Sequence, residues 1–296
     1  MNHLFKKIVL ITLFLAAVSG SIKAQERELP FQAGEKAQII IHYKYGPKMD
    51  IGKIDLVLSE RTGASGKQLF NVRADVSTYS FWDNFYKIRD VYESTFTADG
   101  MVPVSFLRDV KEGDFWAKNN YSWSNGGKCL HAIVDKKTRP HRDTVYNEKK
   151  VIRDVLNLFF ACRALDIDKL LSGKVVHQIV AMDKDLLDIK LKYMGKENKK
   201  VSGLGTFRAV KIGVSVNARV VEALSEEERT TFSITPEKAD GHDENVFYGD
   251  SKIFLWLSDD ENHIPLFFTA PVKVGSINGR LGEHSGLKYP LSSKID

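Results

Sequence analysis

From Lys36 onward the chain is written as strand-length runs rich in β-branched and aromatic residues, each closed by Gly, Asn, Asp or Lys, and this punctuation leaves little room for long helices. KAQIIIHYKY (36–45) and IGKIDLVLSE (51–60) join through Gly46, Pro47 and Asp50, and the second run sets Ile54, Leu56 and Leu58 against Asp55 and Ser59. That period of two predicts a strand with one buried face. KQLFNVRADVSTY (67–79) repeats the pattern with Phe70, Val72, Ala74 and Val76 on one side. FYKIRDVYESTFT, MVPVSFLRDVK, FWAKNNYSWS and KCLHAIVD follow, the last two separated by Asn125-Gly126-Gly127-Lys128, a tight-hairpin signal.

One segment breaks the period. In KKVIRDVLNLFFACRAL, Val151, Val155, Leu158, Phe159 and Cys162 recur at helical spacing, and Ile152, Leu156 and Phe160 widen the apolar side, predicting an amphipathic helix over 150–165 that sheet covers well. Strands then resume at KVVHQIVAM, LLDIKLKYM, KVSGLGTFRAVKIGVSV, KIFLWLS and IPLFFTAPVKVGSI, with KENKK (196–200) as a hairpin tip. The polar stretch 222–247 is longer than an ordinary connection. These patterns predict a mainly β fold: a large curved antiparallel sheet or partly open β-barrel, in one or two lobes, with one central amphipathic helix.

The first 24 residues place Lys6 and Lys7 ahead of the apolar run Ile8–Val18 and end on small and polar residues up to Ala24. This is the pattern of a secretory signal peptide, and the run is shorter than the roughly 20 apolar residues a transmembrane helix needs. Residues 25–296 are then the working β-rich domain, expected in the periplasm or outside the cell without a membrane anchor. Lys6, Lys7 and Lys23 leave with the leader, so 43 basic residues become 40 against 38 acidic ones, a net charge of 40 − 38 = +2. A nucleic-acid footprint is not expected from so small an excess. Cys129 and Cys162, the only cysteines, fall in separate elements and are expected as free thiols rather than a bridge.

The order of landmarks carries a resemblance. FQAGEKAQIIIHYKYG with DIGKIDLVL, then NFYKIRDVYESTF, MVPVSFLRDVKEG, VIRDVLNLFFACR with DIDKLLSGKVV, and KIFLWLSDDENHIPLFFTAPVKVGSINGRL resemble a bacterial exported family, domain of unknown function 3108. The resemblance implies a periplasmic β-rich protein with a curved sheet and an apolar concavity of the kind envelope lipoprotein carriers have. It implies no catalytic residues.

Motifs for chemistry are sparse. Asp259, Asp260 and Glu261 in WLSDDENHIP are neighbours in an extended segment and point to alternate faces, which suits a polar hairpin tip better than an acid–base pair. Asp240, His242, Asp243, Glu244 and Asn245 gather oxygen ligands without EF-hand spacing. Neither a GxSxG elbow nor an HExxH pair is present, and no metal or cofactor is expected. KKTRPHR (136–142) could meet an anionic glycan or lipid head group, or form a solvated turn before the helix.

Aromatic residues crowd a few segments, and Trp82, Phe85, Tyr86, Trp116, Trp123 and Trp256 are the candidates for lining a ligand cavity. The expected function is a non-catalytic binding or carrier protein for an apolar or amphiphilic small molecule of the cell envelope. The alternatives are a structural or interaction module with an envelope protein as partner, and a glycan-processing enzyme whose two carboxylates converge from distant strands.

Overall fold

The computed structural model describes residues 28–44, 49–64, 66–165, 173–183, 185–218, 253–271 and 276–296. The leader, the 222–247 stretch and the oxygen-rich 240–245 segment lie outside the described residues. The first eight strands are β1 (Lys36–Lys44), β2 (Met49–Thr62), β3 (Gln68–Thr78), β4 (Arg89–Thr97), β5 (Pro103–Glu112), β6 (Phe115–Ser124), β7 (Cys129–Lys136) and β8 (Arg139–Asn147). The remainder are β9 (Ile152–Arg153), β10 (Val176–Met182), β11 (Asp185–Val201), β12 (Gly205–Ala218), β13 (Ile253–Ser258), β14 (Pro265–Pro271) and β15 (Ser276–Ser285). Among the described residues two α-helices interrupt them, α1 (Ser80–Asp83) and α2 (Val155–Arg163).

The fifteen strands of the described residues form one sheet in the order β8-β7-β6-β5-β4-β3-β2-β1-β15-β14-β13-β12-β11-β10-β9. Neighbours run antiparallel except the short β9, which lies parallel to β10 with Ile152 opposite Ile179 and Arg153 opposite Val180. The first and last long strands pair with each other, Ile40 opposite Arg280. The two edges, β8 and β9, are therefore consecutive in sequence, joined by Glu148–Val151. Laid flat, fifteen strands at a spacing of about 4.8 Å would separate their edges by roughly 67 Å. The chain from Asn147 to Ile152 reaches at most about 18 Å. The sheet must roll until its edges nearly meet.

The roll closes around α2. The helix packs against β4 and β10, strands far apart in the sheet order. Phe160 meets Phe31 edge-on at 4.8 Å and Phe96 at 6.0 Å, while Phe31 also meets Phe70 at 5.5 Å, so aromatic rings from both walls and the N-terminal segment converge on the helix. Alternate residues of β10–β13 serve two cores: Ile179, Ala181 and Ala209 face the interior with Phe160, whereas Val180, Val210, Ile212 and Leu257 form a second cluster with Cys162 on the other side. Both cysteines are free, and burial pushes the Cys162 thiol up to about 12.

α2 begins five residues later than the sequence pattern predicts. Asp154 ends the extended β9 segment and caps the helix, its side chain accepting from Asn157 N at 2.8 Å. The apolar residues Val151 and Ile152 belong to the approach to β9 and to β9 itself. β8, in the basic run expected as a solvated turn, is a strand of nine residues paired with β7. KENKK is the distal part of β11, and the tip falls at Ser202–Leu204 instead. Charged side chains hid both, because their strands carry polar residues on both faces there. The Asn125–Gly127 turn is as predicted, with φ of 50° at Asn125 and 63° at Gly126, and Asp260 closes the 259–263 tip by accepting from Ser258 Oγ and Asn262 N.

Two ionic contacts, one fully buried and one partly buried, fasten the roll. Arg163, at 1% exposure, ends α2 against Glu35 and donates to the carbonyls of Asn262 and Pro30, so the helix end, the N-terminal segment and the β13–β14 hairpin share one guanidinium. Phe31 and Phe160 place their rings over it, each 5.3 Å away. Asp183, at the β10–β11 turn, reaches across to Arg108 of β5 at 2.6 Å, to Asn119 of β6 at 3.2 Å and to Lys136 of β7. Burial pushes its carboxyl up, but Arg108 and Lys136 outweigh burial and hold it below the usual aspartate range. Replacing it with alanine leaves two cations facing each other, and Asp183→Ala is expected to lower the unfolding free energy by about 3–5 kcal/mol in urea titrations.

Asp154 behaves in the opposite sense. Full burial raises its carboxyl to about 6 although Asn157 N and Ser94 Oγ hydrogen-bond to it. A folded-state value above the unfolded one means stability that is complete below about pH 4 and is lost as pH rises through 6. Asp154→Asn keeps the cap and removes this titration. The fall in unfolding free energy between pH 4 and pH 7 should shrink by up to about 3 kcal/mol in the variant, measured by urea unfolding at both pH values.

Candidate functional site

The roll is not filled everywhere. Where β1 and β13–β15 curve, the far end of the β11–β12 hairpin folds back over their inner face. The bend follows a register shift between Tyr193 and Gly195, and Gly195 takes a φ of 122°, a conformation glycine adopts without Cβ strain. Beyond the bend Glu197 accepts from Trp256 Nε1 at 2.6 Å, and the tip is held by Arg280, which donates to Ser202 O at 3.0 Å. Between hairpin and strands lies a cleft of about 660 Å³.

Its walls combine two kinds of surface. Trp256 of β13 and Phe267 of β14 stand 5.5 Å apart at 72°, and the Lys199 ammonium lies 3.8 Å from the first ring centre and 3.9 Å from the second. Lys211 approaches Trp256 from β12 at 5.1 Å. Partial burial holds Lys199 below the usual lysine range; Lys211 adds to that effect and Glu197 opposes it. His42, Lys44, Lys200, Thr269, Asn278 and Arg280 complete the lining with Asp50, which pairs with Arg280 at 2.9 Å. Four basic side chains, Lys44, Lys199, Lys200 and Arg280, against the Asp50 carboxylate give the lining a formal charge of 4 − 1 = +3 before His42 is considered. Partly dehydrated ammonium on aromatic walls has lost hydration that an anionic group could replace.

The structure disperses the aromatic candidates. Trp256 is in the cleft. Trp123 packs edge-on to Tyr121 at 5.9 Å against the main core. Phe85, Tyr86 and Trp116 are exposed on the outside, 72%, 50% and 42%, and Trp82 stands among them with its Nε1 donating to Asp50 O at 3.0 Å. The sequence reasoning missed Lys199, Phe267 and Arg280. The available signal was the alternation of KKV with aromatic β13 and β14, but the fold-back that brings them together depends on the bend at Gly195.

The carboxylates do other work. Asp90 of β4 and Glu112 of β5 hydrogen-bond to each other, and burial raises both carboxyls above the usual range. That is closer than the separation of about 5–10 Å used in glycoside hydrolysis. Among the described residues, no group of three His, Cys, Asp or Glu side chains is placed to hold a metal ion, and no helix is long and apolar enough to cross a membrane.

Fold and cleft together define a rolled, open antiparallel sheet with a plugging helix and one cationic, aromatic mouth. The chain belongs to the family described as protein of unknown function DUF3108, whose pattern matches residues 38–281. A search of curated proteins found no match. Among solved structures it is similar to a β-barrel-like protein of domain of unknown function DUF1849 from Brucella abortus, at 10% identity and a TM-score of 0.45, covering 87% of this chain and 100% of that one.

Proposed function

We propose that the protein is a non-catalytic carrier or binding protein of the cell envelope whose ligand is an anionic amphiphile. The observation that carries this reading is Lys199 lying across Trp256 and Phe267 in an open cleft of about 660 Å³. A volume in the range of small-molecule sites, apolar ring faces and convergent cations favour a molecule with an apolar body and a carboxylate, sulfate or phosphate end. The apolar part lies against the half-buried Phe267 beside the buried Trp256, and the charged end meets Lys199, Lys200 and Arg280. The leader pattern of residues 1–24 supports an exported location.

Dodecyl phosphate is a direct probe. Isothermal titration should show binding that dodecyltrimethylammonium, of the same chain length and opposite charge, does not match. Lys199→Gln should weaken dodecyl phosphate binding about tenfold, as expected for losing one partly desolvated charge-assisted contact. Equal affinity for the two surfactants, or an unchanged Lys199→Gln variant, would rule the reading out. Native mass spectrometry of protein from its own cells then reads the mass of any natural occupant.

A further inference from the structure

The exposed aromatic residues outside the cleft lie at one end of the roll. In an antiparallel meander the β3–β4, β5–β6 and β7–β8 connections all fall on the same side. The first carries α1 and the sequence Ser80–Tyr86, with Phe81 at 62% and Phe85 at 72% exposure. Their rings meet each other and Trp82 at 5.4–5.9 Å and form a small projecting knuckle. Tyr86 bridges to the second connection, where its ring would meet a Cβ on Gly113 at 3.1 Å. Trp116 stands on the outer face just beyond it, 42% exposed.

Basic residues border this surface. The third connection, Lys137–Thr138 within the KKTRPHR run, touches the aromatic hairpin directly: Lys137 N donates to Trp116 O at 3.1 Å and Lys137 Nζ to Asp114 O at 2.8 Å. Lys87 follows the knuckle and is exposed. Asp83, the acid within the knuckle, is already paired with Arg89, whose guanidinium also reaches Thr78. The knuckle has a rigid base, since Trp82 Nε1 is bonded to Asp50 O and Tyr79 N to Ile51 O at 3.1 Å. Asp50 is also the residue that pairs with Arg280 in the cleft, so one residue joins the knuckle to the cleft mouth.

We propose that this end of the roll docks on an anionic lipid surface, Phe81, Phe85, Tyr86 and Trp116 entering the headgroup region and Lys87 and Lys137 meeting the lipid phosphates. Projecting Phe, Tyr and Trp rings with interspersed lysines match the water–lipid boundary, where amphipathic aromatics settle and each basic side chain adds attraction to negative headgroups. A protein groove would be the natural partner of a narrow single anchor; four rings spread over two connections fit a flat, deformable surface. The docking surface does not require the cleft to take an amphiphile, but it sets the cleft mouth beside the membrane from which one would be drawn.

Co-sedimentation tests it with protein purified from its own cells and two vesicle populations, phosphatidylcholine alone and phosphatidylcholine mixed with phosphatidylglycerol. The protein is expected to sediment with the mixed vesicles and to be released by salt. Phe81→Ser with Phe85→Ser should reduce the partition coefficient about tenfold or more, and Lys87→Gln and Lys137→Gln by about fivefold each. These side chains are exposed, and an unchanged thermal midpoint confirms folding. Dodecyl phosphate binding should survive the patch substitutions, and vesicle binding should survive Lys199→Gln, so failure of the docking surface and failure of the cleft reading are told apart. Protein that stays in solution with the mixed vesicles, binds both populations equally, or binds unchanged after the Phe substitutions overturns the proposal. Self-association lost with the same substitutions would assign the patch to a second copy of the chain and overturn it as well.

Discussion

Four residues, Glu148–Val151, connect the two edges of a fifteen-stranded sheet, and the rest of the architecture follows from that short tether. A sheet whose edges are held close must roll, and a roll of this width encloses more space than its own strand side chains fill. The chain supplies the filler immediately after the tether: β9 adds to the edge, Asp154 stops it, and α2 enters the interior. Because β8 and β9 do not hydrogen-bond to each other as neighbours, closure depends on side chains. Asp183 joins the β10 side to β5, β6 and β7, and Arg163 binds the helix end to the N-terminal segment and the β13–β14 turn.

These contacts explain where polar groups can be buried. Arg163 has a carboxylate, two carbonyl partners and two ring faces, so its charge is met from several directions. Asp183 has cations strong enough to keep it ionised in spite of burial, whereas Asp154 has only neutral donors and is held near the point of protonation. The two aspartates therefore push stability in opposite directions as pH changes, one contributing when ionised and the other when protonated.

Much of the fold was legible because the strands obey a period of two wherever one face is buried. β2 and β3 alternate as Leu56, Leu58, Phe70, Val72 and Ala74 require, and the helix declares itself through Phe159, Phe160 and Cys162. β8 and the outer half of β11 were illegible for the same physical reason: their charged residues are carried by pairing to a neighbouring strand, and backbone hydrogen bonds leave no hydrophobic signature. The sheet order was also hidden, since β1–β15 pairing joins residues about as far apart in the chain as the fold permits. For the site, Trp256 was visible as an aromatic residue, but Lys199 reads in sequence as one more lysine in a hairpin. Only the bend at Gly195 turns it onto two rings.

The contrast between buried acids and the cleft bears on what kind of protein this is. Glu35 and Asp183 neutralise cations, Asp154 caps a helix, and Asp90 shares its hydrogen bond with Glu112. Each of these carboxylates has a structural partner in the fold. In the cleft the imbalance runs the other way, with Asp50 answering Arg280 while Lys44, Lys199 and Lys200 also line the space. An excess of cations beside aromatic rings has complementary chemistry in a molecule that is both anionic and apolar. The Asp50 carbonyl also accepts a hydrogen bond from Trp82 Nε1, so the mouth that holds this excess adjoins the aromatic knuckle outside. In the proposed reading, recognition of a charged amphiphile and contact with the surface that supplies it are two uses of one end of the roll.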